Sequence, residues 1–396
     1  MAELRNRAGG GARGVNPTGA TDPLPIAEAL IRCRSVTPAD GGALGVVEDA
    51  LRPLGFDCHR LRFGPAGGEV ENLFARRGTG APHFCWAGHT DVVPPGDSGW
   101  THDPFDPVVR DGALYGRGAC DMKGGVAAFL AGVADFVAAN PRHPGSLSLL
   151  ITGDEEGPAL DGTARVLEWM AANGHLPDMA LVGEPTSRAV LGDTVKTGRR
   201  GSLTAHITVH GTQGHSAYPQ RADNPVHRLV RVLHGLTAAL LDDGSEGFER
   251  STLQVTGIDV GNTASNLIPA AARAMLNIRF NDSHTGSSLT EMLHGALRSA
   301  DARYDLRATV SGESFRTPPG PFLDRLVRAV ERASGRAPAL DTGGGTSDAR
   351  FIARYCPVAE LGGVGSTMHQ VDERVPVAEL RDLAALYRAV LDEVLA

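Results

Sequence analysis

Ser146-Leu147-Ser148-Leu149-Leu150-Ile151-Thr152-Gly153-Asp154-Glu155-Glu156-Gly157 is the stretch that decides the fold. A compact apolar run ends at a glycine and three consecutive acids. Such a run, bounded by turn residues, reads as a buried strand, and burial on both faces marks a parallel sheet. His83–Ala87 reads the same way and is followed by His89 and Asp91. Met179–Val182 is a third such run and is followed by Glu184. Between them Gly124–Ala139 and Thr163–Ala172 have helical spacing. Alternation of strands and helices from Asp22 to about Thr197 predicts an α/β architecture, a mixed but mostly parallel sheet flanked by helices.

From about Gly201 the texture changes. Ser202–Val209 alternates as a half-buried strand. Asn224–Leu241 reads as a helix, with Asn224 as its cap and Pro225 behind it. Leu253–Val260 and Ala274–Phe280 follow as strands, then a helix near Ser287–Ser299 and a strand near Tyr304–Val310. The order β-α-β-β-α-β predicts a ferredoxin-like α+β unit inserted into the larger domain. After Pro318 the helical and strand patterns resume, ending in a helix striped by Leu380, Leu383, Leu386, Val390 and Val394. The expected organisation is a disordered leader over 1–21, a catalytic domain formed by 22–199 and 314–396, and an inserted domain over 200–313.

Composition narrows the function classes. Charged residues make up 21% and the net charge is −8, with the Lys and Arg residues scattered. An acidic balance without a basic stripe argues against a nucleic-acid partner. No apolar run approaches the roughly 20 residues needed to span a bilayer, and the first twenty residues lack the apolar core of a signal peptide. The five cysteines, Cys33, Cys58, Cys85, Cys120 and Cys356, are widely separated and form no CxxC pair. That usage suits a reducing cytoplasm.

The chemistry lies where the strands end. In open α/β sheets ligands bind beyond the carboxyl ends of strands. His89 and Asp91, the Asp154–Glu156 acids, Glu184, and His369 beyond the apolar stretch Pro357–Val364 are all aimed at one crevice on this reading. Singly, each has an ordinary explanation. Asp121, for example, lies just before a helix it could cap. Together, two histidines with three or four carboxylates suit zinc or a similar divalent metal, because packed carboxylates repel without cations. A paired site needs a bridging carboxylate, and Asp121 is a candidate. Asp91, two residues from His89, is placed to orient that imidazole through its second ring nitrogen. Of the adjacent Glu155 and Glu156, one can bind metal while the other stays free as a general base.

These residues resemble the zinc-dependent amidohydrolase and exopeptidase family of aminoacylases and acetylornithine deacetylases. The shared signatures are Gly88-His89-Thr90-Asp91-Val92-Val93-Pro94, Gly116-Arg117-Gly118-Ala119-Cys120-Asp121-Met122-Lys123-Gly124, Asp154-Glu155-Glu156-Gly157 and Gly183-Glu184-Pro185-Thr186. The resemblance runs from about residue 24 to the C-terminus. It implies a zinc-exopeptidase-like fold whose inserted domain serves as lid and dimerisation surface. It also implies two zinc ions per subunit, with cobalt able to substitute. His89 and Glu184 would hold one ion, Glu156 and His369 the other, and Asp121 both. Glu155 would be the general base and Asp91 the partner of His89, and the Asp121–Met122 peptide would be cis.

Within the family, Val195-Lys196-Thr197-Gly198-Arg199-Arg200-Gly201-Ser202, Gly214-His215-Ser216-Ala217-Tyr218-Pro219, Gly344-Gly345-Thr346-Ser347-Asp348-Ala349-Arg350-Phe351 and Met368-His369-Gln370-Val371-Asp372-Glu373 favour one activity. It is hydrolysis of the succinyl amide of N-succinyl-L,L-2,6-diaminopimelate. The resemblance implies that Arg199 and Arg279 clamp substrate carboxylates. Ser202, Tyr218, Asn266, Gly345 and Thr346 would line the pocket. His215 would reach a partner subunit's site and stabilise the oxyanion, making a homodimer through the inserted domain. Acetylornithine or another N-acyl amino acid is the alternative substrate class, and a metal-stabilised scaffold the non-enzymatic one. One departure is Gly365, where many relatives carry asparagine four residues before the last metal histidine.

Overall fold

The structure, a computed structural model, describes residues 20–395. The leader expected over 1–21 lies outside these residues except for Ala20 and Thr21. Thr21 is tied down: its N–H and its Oγ1 donate to Asp135 at 3.0 and 2.7 Å.

The chain forms two compact units. The first comprises the described residues up to Val195, then Pro318–Ala339, and the described residues from Arg354 onward. The second comprises Lys196–Thr317 and Leu340–Ala353. The inserted unit thus differs from the expected 200–313 by taking a second, later segment.

In the first unit, the strands Ser146–Thr152, His83–His89, Met179–Val182 and Val358–Glu360 lie side by side in that order, all parallel. Two antiparallel strands, Val70–Arg77 and then Asp57–Phe63, extend the sheet beyond Ser146–Thr152. Every residue of His83–His89 and Ser146–Thr152 is buried, as a two-faced parallel core requires. The order makes the carboxyl ends of neighbouring strands open on one edge.

One face of the sheet is covered by Lys123–Ala139, which is buried nearly all round and packs against Val377–Leu395 and Leu24–Arg32, while Pro321–Ser334 packs in turn on Val377–Leu395. Trp86 stacks on Phe129 with ring centroids 4.4 Å apart, and Tyr387 meets both rings edge-on. The Tyr387 hydroxyl donates to the Leu361 carbonyl at 2.8 Å, fixing the C-terminal helix to the segment leaving the Val358–Glu360 strand. Truncating an aromatic in such a cluster costs about 3–5 kcal/mol. Thr163–Ala172 covers the other face, with Trp169 against Phe74.

The second unit has a four-stranded antiparallel sheet, Thr252–Asp259, Ala271–Phe280, Gly201–His210 and Arg303–Gly312 in spatial order. Helices Pro225–Ala238 and Gly286–Ser299 pack on one face and share its apolar core. The connectivity is that of a ferredoxin-like fold. Asn224 caps the first helix by accepting from the Val226 N–H at 3.0 Å, with Pro225 at its first position. Among the described residues, no helix is long and apolar enough to cross a membrane.

Candidate metal centre

Three of the metal-ligand candidates sit where a parallel strand gives way to a loop. His89 ends its strand, Glu156 follows Ser146–Thr152 through a turn, and Glu184 lies two residues past Met179–Val182. Asp121 precedes the buried helix Lys123–Ala139, whose cap position is Met122. Asp121 therefore does not cap that helix, and its side chain turns toward two imidazoles. The Asp121–Met122 peptide is cis. His369 adopts φ 58°, a left-handed conformation uncommon for a residue with a side chain.

Two triads result, His89 with Asp121 and Glu184, and Asp121 with Glu156 and His369. Within each, one ligand atom per residue lies within 4.8 Å of the others. Asp121 divides its oxygens: Oδ1 is 3.2 Å from His89 Nε2 and Oδ2 is 3.4 Å from His369 Nε2. His369 Nε2 is also 2.9 Å from Glu156 Oε1, and His89 Nε2 is 3.8 Å from Glu184 Oε1. A carboxylate that faces a different imidazole with each oxygen is arranged to bridge two cations.

Asp91 differs in detail from its expected role. The nearest partner of His89 Nδ1 is the main-chain carbonyl of Asp91 at 2.9 Å, with the carboxylate oxygen at 3.6 Å. That carboxylate accepts instead from the N–H groups of Glu155 and Glu156, at 3.3 and 3.0 Å. Asp91 thus orients the imidazole through its backbone and holds the glutamate loop through its side chain. Asp154 secures the far side of that loop by accepting from Leu160 and Asp161.

The electrostatics favour cations. Burial acts against charge on His89, yet Asp121, Asp91, Glu155 and Glu184 outweigh it and hold the imidazole well above its ordinary range. Hydrogen bonds to Asp121 and Glu156 push His369 up to about 10. Burial works to raise the Asp121 carboxyl, but the two imidazoles hold it below its usual value. Carboxylates outnumber imidazoles in this cluster, an imbalance that favours positive charge between them. A divalent ion would meet the same excess of negative charge in place of imidazole protons. The donor set of imidazole nitrogens and carboxylate oxygens fits zinc or a comparable metal.

The remaining candidates belong to the second unit and fall into three groups. Arg199, in the short strand Gly198–Arg199, donates to the Gly345 carbonyl at 3.1 Å, next to Thr346. Ser202 faces Arg279 across paired strands, and Arg279 Nε donates to Asn277 at 3.1 Å. Burial and the neighbouring Arg200 lower the Arg279 pKa. His215 is exposed, 5.7 Å between ring centroids from Tyr218, and the Asn266 carbonyl accepts from the Ser216 N–H. At Gly365 an added Cβ would lie 2.8 Å from Met368 Cε, so Met368 occupies the space a side chain would need there. Sequence reasoning assigned no role to Arg117 or Glu373, whose side chains meet beneath the Asp121 loop at 2.9 Å. The only signal was their membership of two quoted motifs.

The chain is similar to known proteins in sequence and in fold. Residues 85–393 match the profile of Peptidase family M20/M25/M40. Curated relatives include succinyl-diaminopimelate desuccinylases from Gluconacetobacter diazotrophicus and Acidiphilium cryptum. The first is 59% identical, covering 95% of this chain and 97% of the relative. The second is 58% identical, covering 94% and 98%. Among solved structures, aminopeptidase PepT from Bacillus cereus superposes with a TM-score of 0.77 at 20% identity over 94% of this chain and 98% of that one. Bacillus subtilis YXEP, described as a dinuclear metal binding peptidase, gives 0.68 at 16% identity over 94% and 97%. The solved structures support the fold, and the profile match over most of the chain, with relatives similar from end to end, places it: the chain belongs to peptidase family M20/M25/M40.

Proposed function

We propose that this chain is a di-zinc amidohydrolase that cleaves N-succinyl-L,L-2,6-diaminopimelate to succinate and L,L-diaminopimelate. The observation that carries the reading is the pair of triads sharing Asp121, with Glu155 held beside them by its N–H to the Asp91 carboxylate at 3.3 Å. The near-full-length relatives that bear the desuccinylase name support the choice of substrate.

His89 and Glu184 would hold one zinc, Glu156 and His369 the other, and Asp121 both, with cobalt able to substitute. When bound, the two ions supply Lewis acidity to the acyl carbonyl and acidify water near neutral pH. Glu155 acts as general base, taking a proton from the attacking water and passing it to the departing nitrogen. The C–N amide bond breaks and the new C–O bond completes succinate. His215, supplied by a partner subunit, donates to the developing oxyanion. Arg199 and Arg279 hold substrate carboxylates, for which the guanidinium fork is suited. Ser202, Tyr218, Asn266, Gly345 and Thr346 complete the pocket.

The homodimer would form through the inserted unit, in a cytoplasmic setting. Exposed Ile258 on the edge strand and Val230 on the neighbouring helix, 62% and 57% accessible, support that surface. The experiment is succinate release from N-succinyl-L,L-diaminopimelate by zinc-loaded protein, beside N-acetylornithine and a chelated control. The expected result is a strong preference for the succinylated substrate, abolished by chelation. Turnover of acetylornithine alone would overturn the substrate assignment and leave the metal reading standing.

A further inference from the structure

We infer that Glu373 is a positioning residue for the metal centre, one buried carboxylate that fixes the loop of the bridging Asp121 and the loop of His369 against each other. This rests on the reading of Asp121 and His369 as metal ligands. Glu373 belongs to neither triad.

Glu373 is fully buried, and both of its oxygens are occupied by donors. Oε1 accepts from the N–H groups of Cys120 and Asp121 at 2.9 and 3.0 Å. Oε2 accepts from the Gly118 N–H and from Arg117 Nη1, both at 2.9 Å. Three main-chain N–H groups of a four-residue turn therefore converge on one carboxylate, an anion-binding nest built from within the chain. The turn requires Gly118, which has φ +84°, and an added Cβ there would lie 2.8 Å from Val92 and 2.9 Å from Lys123. Because the Asp121 N–H is one of the donors, the backbone that carries the bridging side chain is pinned at the residue itself.

The same carboxylate anchors the second loop. Glu373 lies four residues after His369, in a segment closed where Thr367 Oγ1 donates to the Arg374 carbonyl and accepts the Arg374 N–H, at 2.7 and 3.1 Å. The Glu373 carbonyl accepts from the Gly116 N–H at 2.9 Å, and Arg117 Nη1 also donates to the Gln370 carbonyl at 3.2 Å. Residues more than 250 positions apart in sequence are joined at one side chain. The chemistry calls for an ionised acid. Four donors need a group that only accepts, whereas glutamine would turn an NH2 toward at least one of them and leave Arg117 buried without its counter-charge.

The test is a zinc titration of Glu373→Gln and Glu373→Asp against a competing chromophoric chelator, with melting of the metal-free proteins alongside. Residues that orient metal ligands typically contribute 10–100-fold in metal affinity or activity. Glu373→Gln is expected to bind zinc about 10–100-fold more weakly than the parent and to lose kcat with little change in KM. Glu373→Asp, which keeps the charge but shortens the reach, should fall between the two and stay folded. A merely structural residue would lower the melting temperature while the folded protein took up zinc with parent affinity, and that result overturns the inference. If Glu373→Gln does not fold, Glu373→Asp decides alone: parent zinc affinity refutes, weakened affinity in a folded protein supports. His369→Ala separates the two layers. Should it keep both zinc equivalents, the ligand reading itself fails. Should it lose one while the Glu373 variants bind like the parent, only the role of Glu373 fails.

Discussion

Gly183→Ala adds one methyl group beside Glu184, and the structure shows why so small a change should be felt. Gly183 does not occupy the left-handed region, so alanine brings no backbone penalty. The cost is steric. The new Cβ would lie 2.1 Å from Trp86 Cζ2, 2.8 Å from Trp86 Cε2 and 2.7 Å from Met122 Cε. The methionine tip can swing away. Trp86 cannot, because it is fully buried, stacked on Phe129 and flanked edge-on by Tyr387. Overpacking a rigid core costs typically 1–3 kcal/mol, and this site belongs at about 3. For a domain of this size, roughly 2–4 °C per kcal/mol places the loss in melting temperature at roughly 6–12 °C. The strain is relieved most easily by moving the 183–185 segment, which carries Glu184, so zinc affinity should fall as well. Scanning calorimetry of the metal-free protein and a competitive zinc titration read the two effects. A variant with parent melting temperature and parent zinc affinity would refute the claim that Glu184 is positioned by close packing against Trp86.

Glu155→Gln should keep its zinc and lose about 10²–10⁴-fold in kcat, as expected for a general base. Metal content with steady-state rates checks this, and near-parent turnover would remove Glu155 from its role. Arg199→Ala should raise KM for the succinylated substrate roughly tenfold or more, with kcat little changed, because a charge-assisted contact is lost. An unchanged KM would place the clamp elsewhere. Burial depresses His83, with neighbouring Arg76 adding to the effect, to about 4, so the folded protein refuses a proton that the unfolded chain accepts below about 6.5. Its contribution to stability is intact above 6.5 and declines as pH falls toward 4. His83→Gln should therefore flatten the acid limb of the stability profile in that window, measured by denaturant melts at several pH values.

What the sequence made legible follows from burial. Ser146–Thr152 and Met179–Val182 appear with the expected ends because a strand buried on both faces is dominated by apolar residues, here Leu147, Leu149–Ile151 and Ala180–Val182, while the buried Ser148 and Thr152 hydroxyls are hydrogen-bonded to His83 and Asn72. The antiparallel extension was not legible. Asp57–Phe63 lies at the sheet edge and mixes charges with half-buried residues. Val70–Arg77 hides Asn72 in the interior, where it accepts from the Thr152 hydroxyl at 2.8 Å. The assignment of Leu340–Ala353 to the inserted unit depends on long-range pairing, such as Lys196 with Asp341, which no local pattern reports. At the site, the ligand residues were readable because each follows a strand, and Asp121 because it stands in a motif. The two jobs of Asp91 and the donors around Glu373 were not, because hydrogen-bond partners 64 or 252 residues away leave no periodic trace.

Two cations sharing Asp121 are the core of the proposed chemistry, and anomalous diffraction at the zinc edge from crystals of the zinc-loaded protein tests this most directly. It should give two peaks, one between His89 and Glu184 and one between Glu156 and His369, with an Asp121 oxygen on each. A single peak, or peaks away from Asp121, would contradict it.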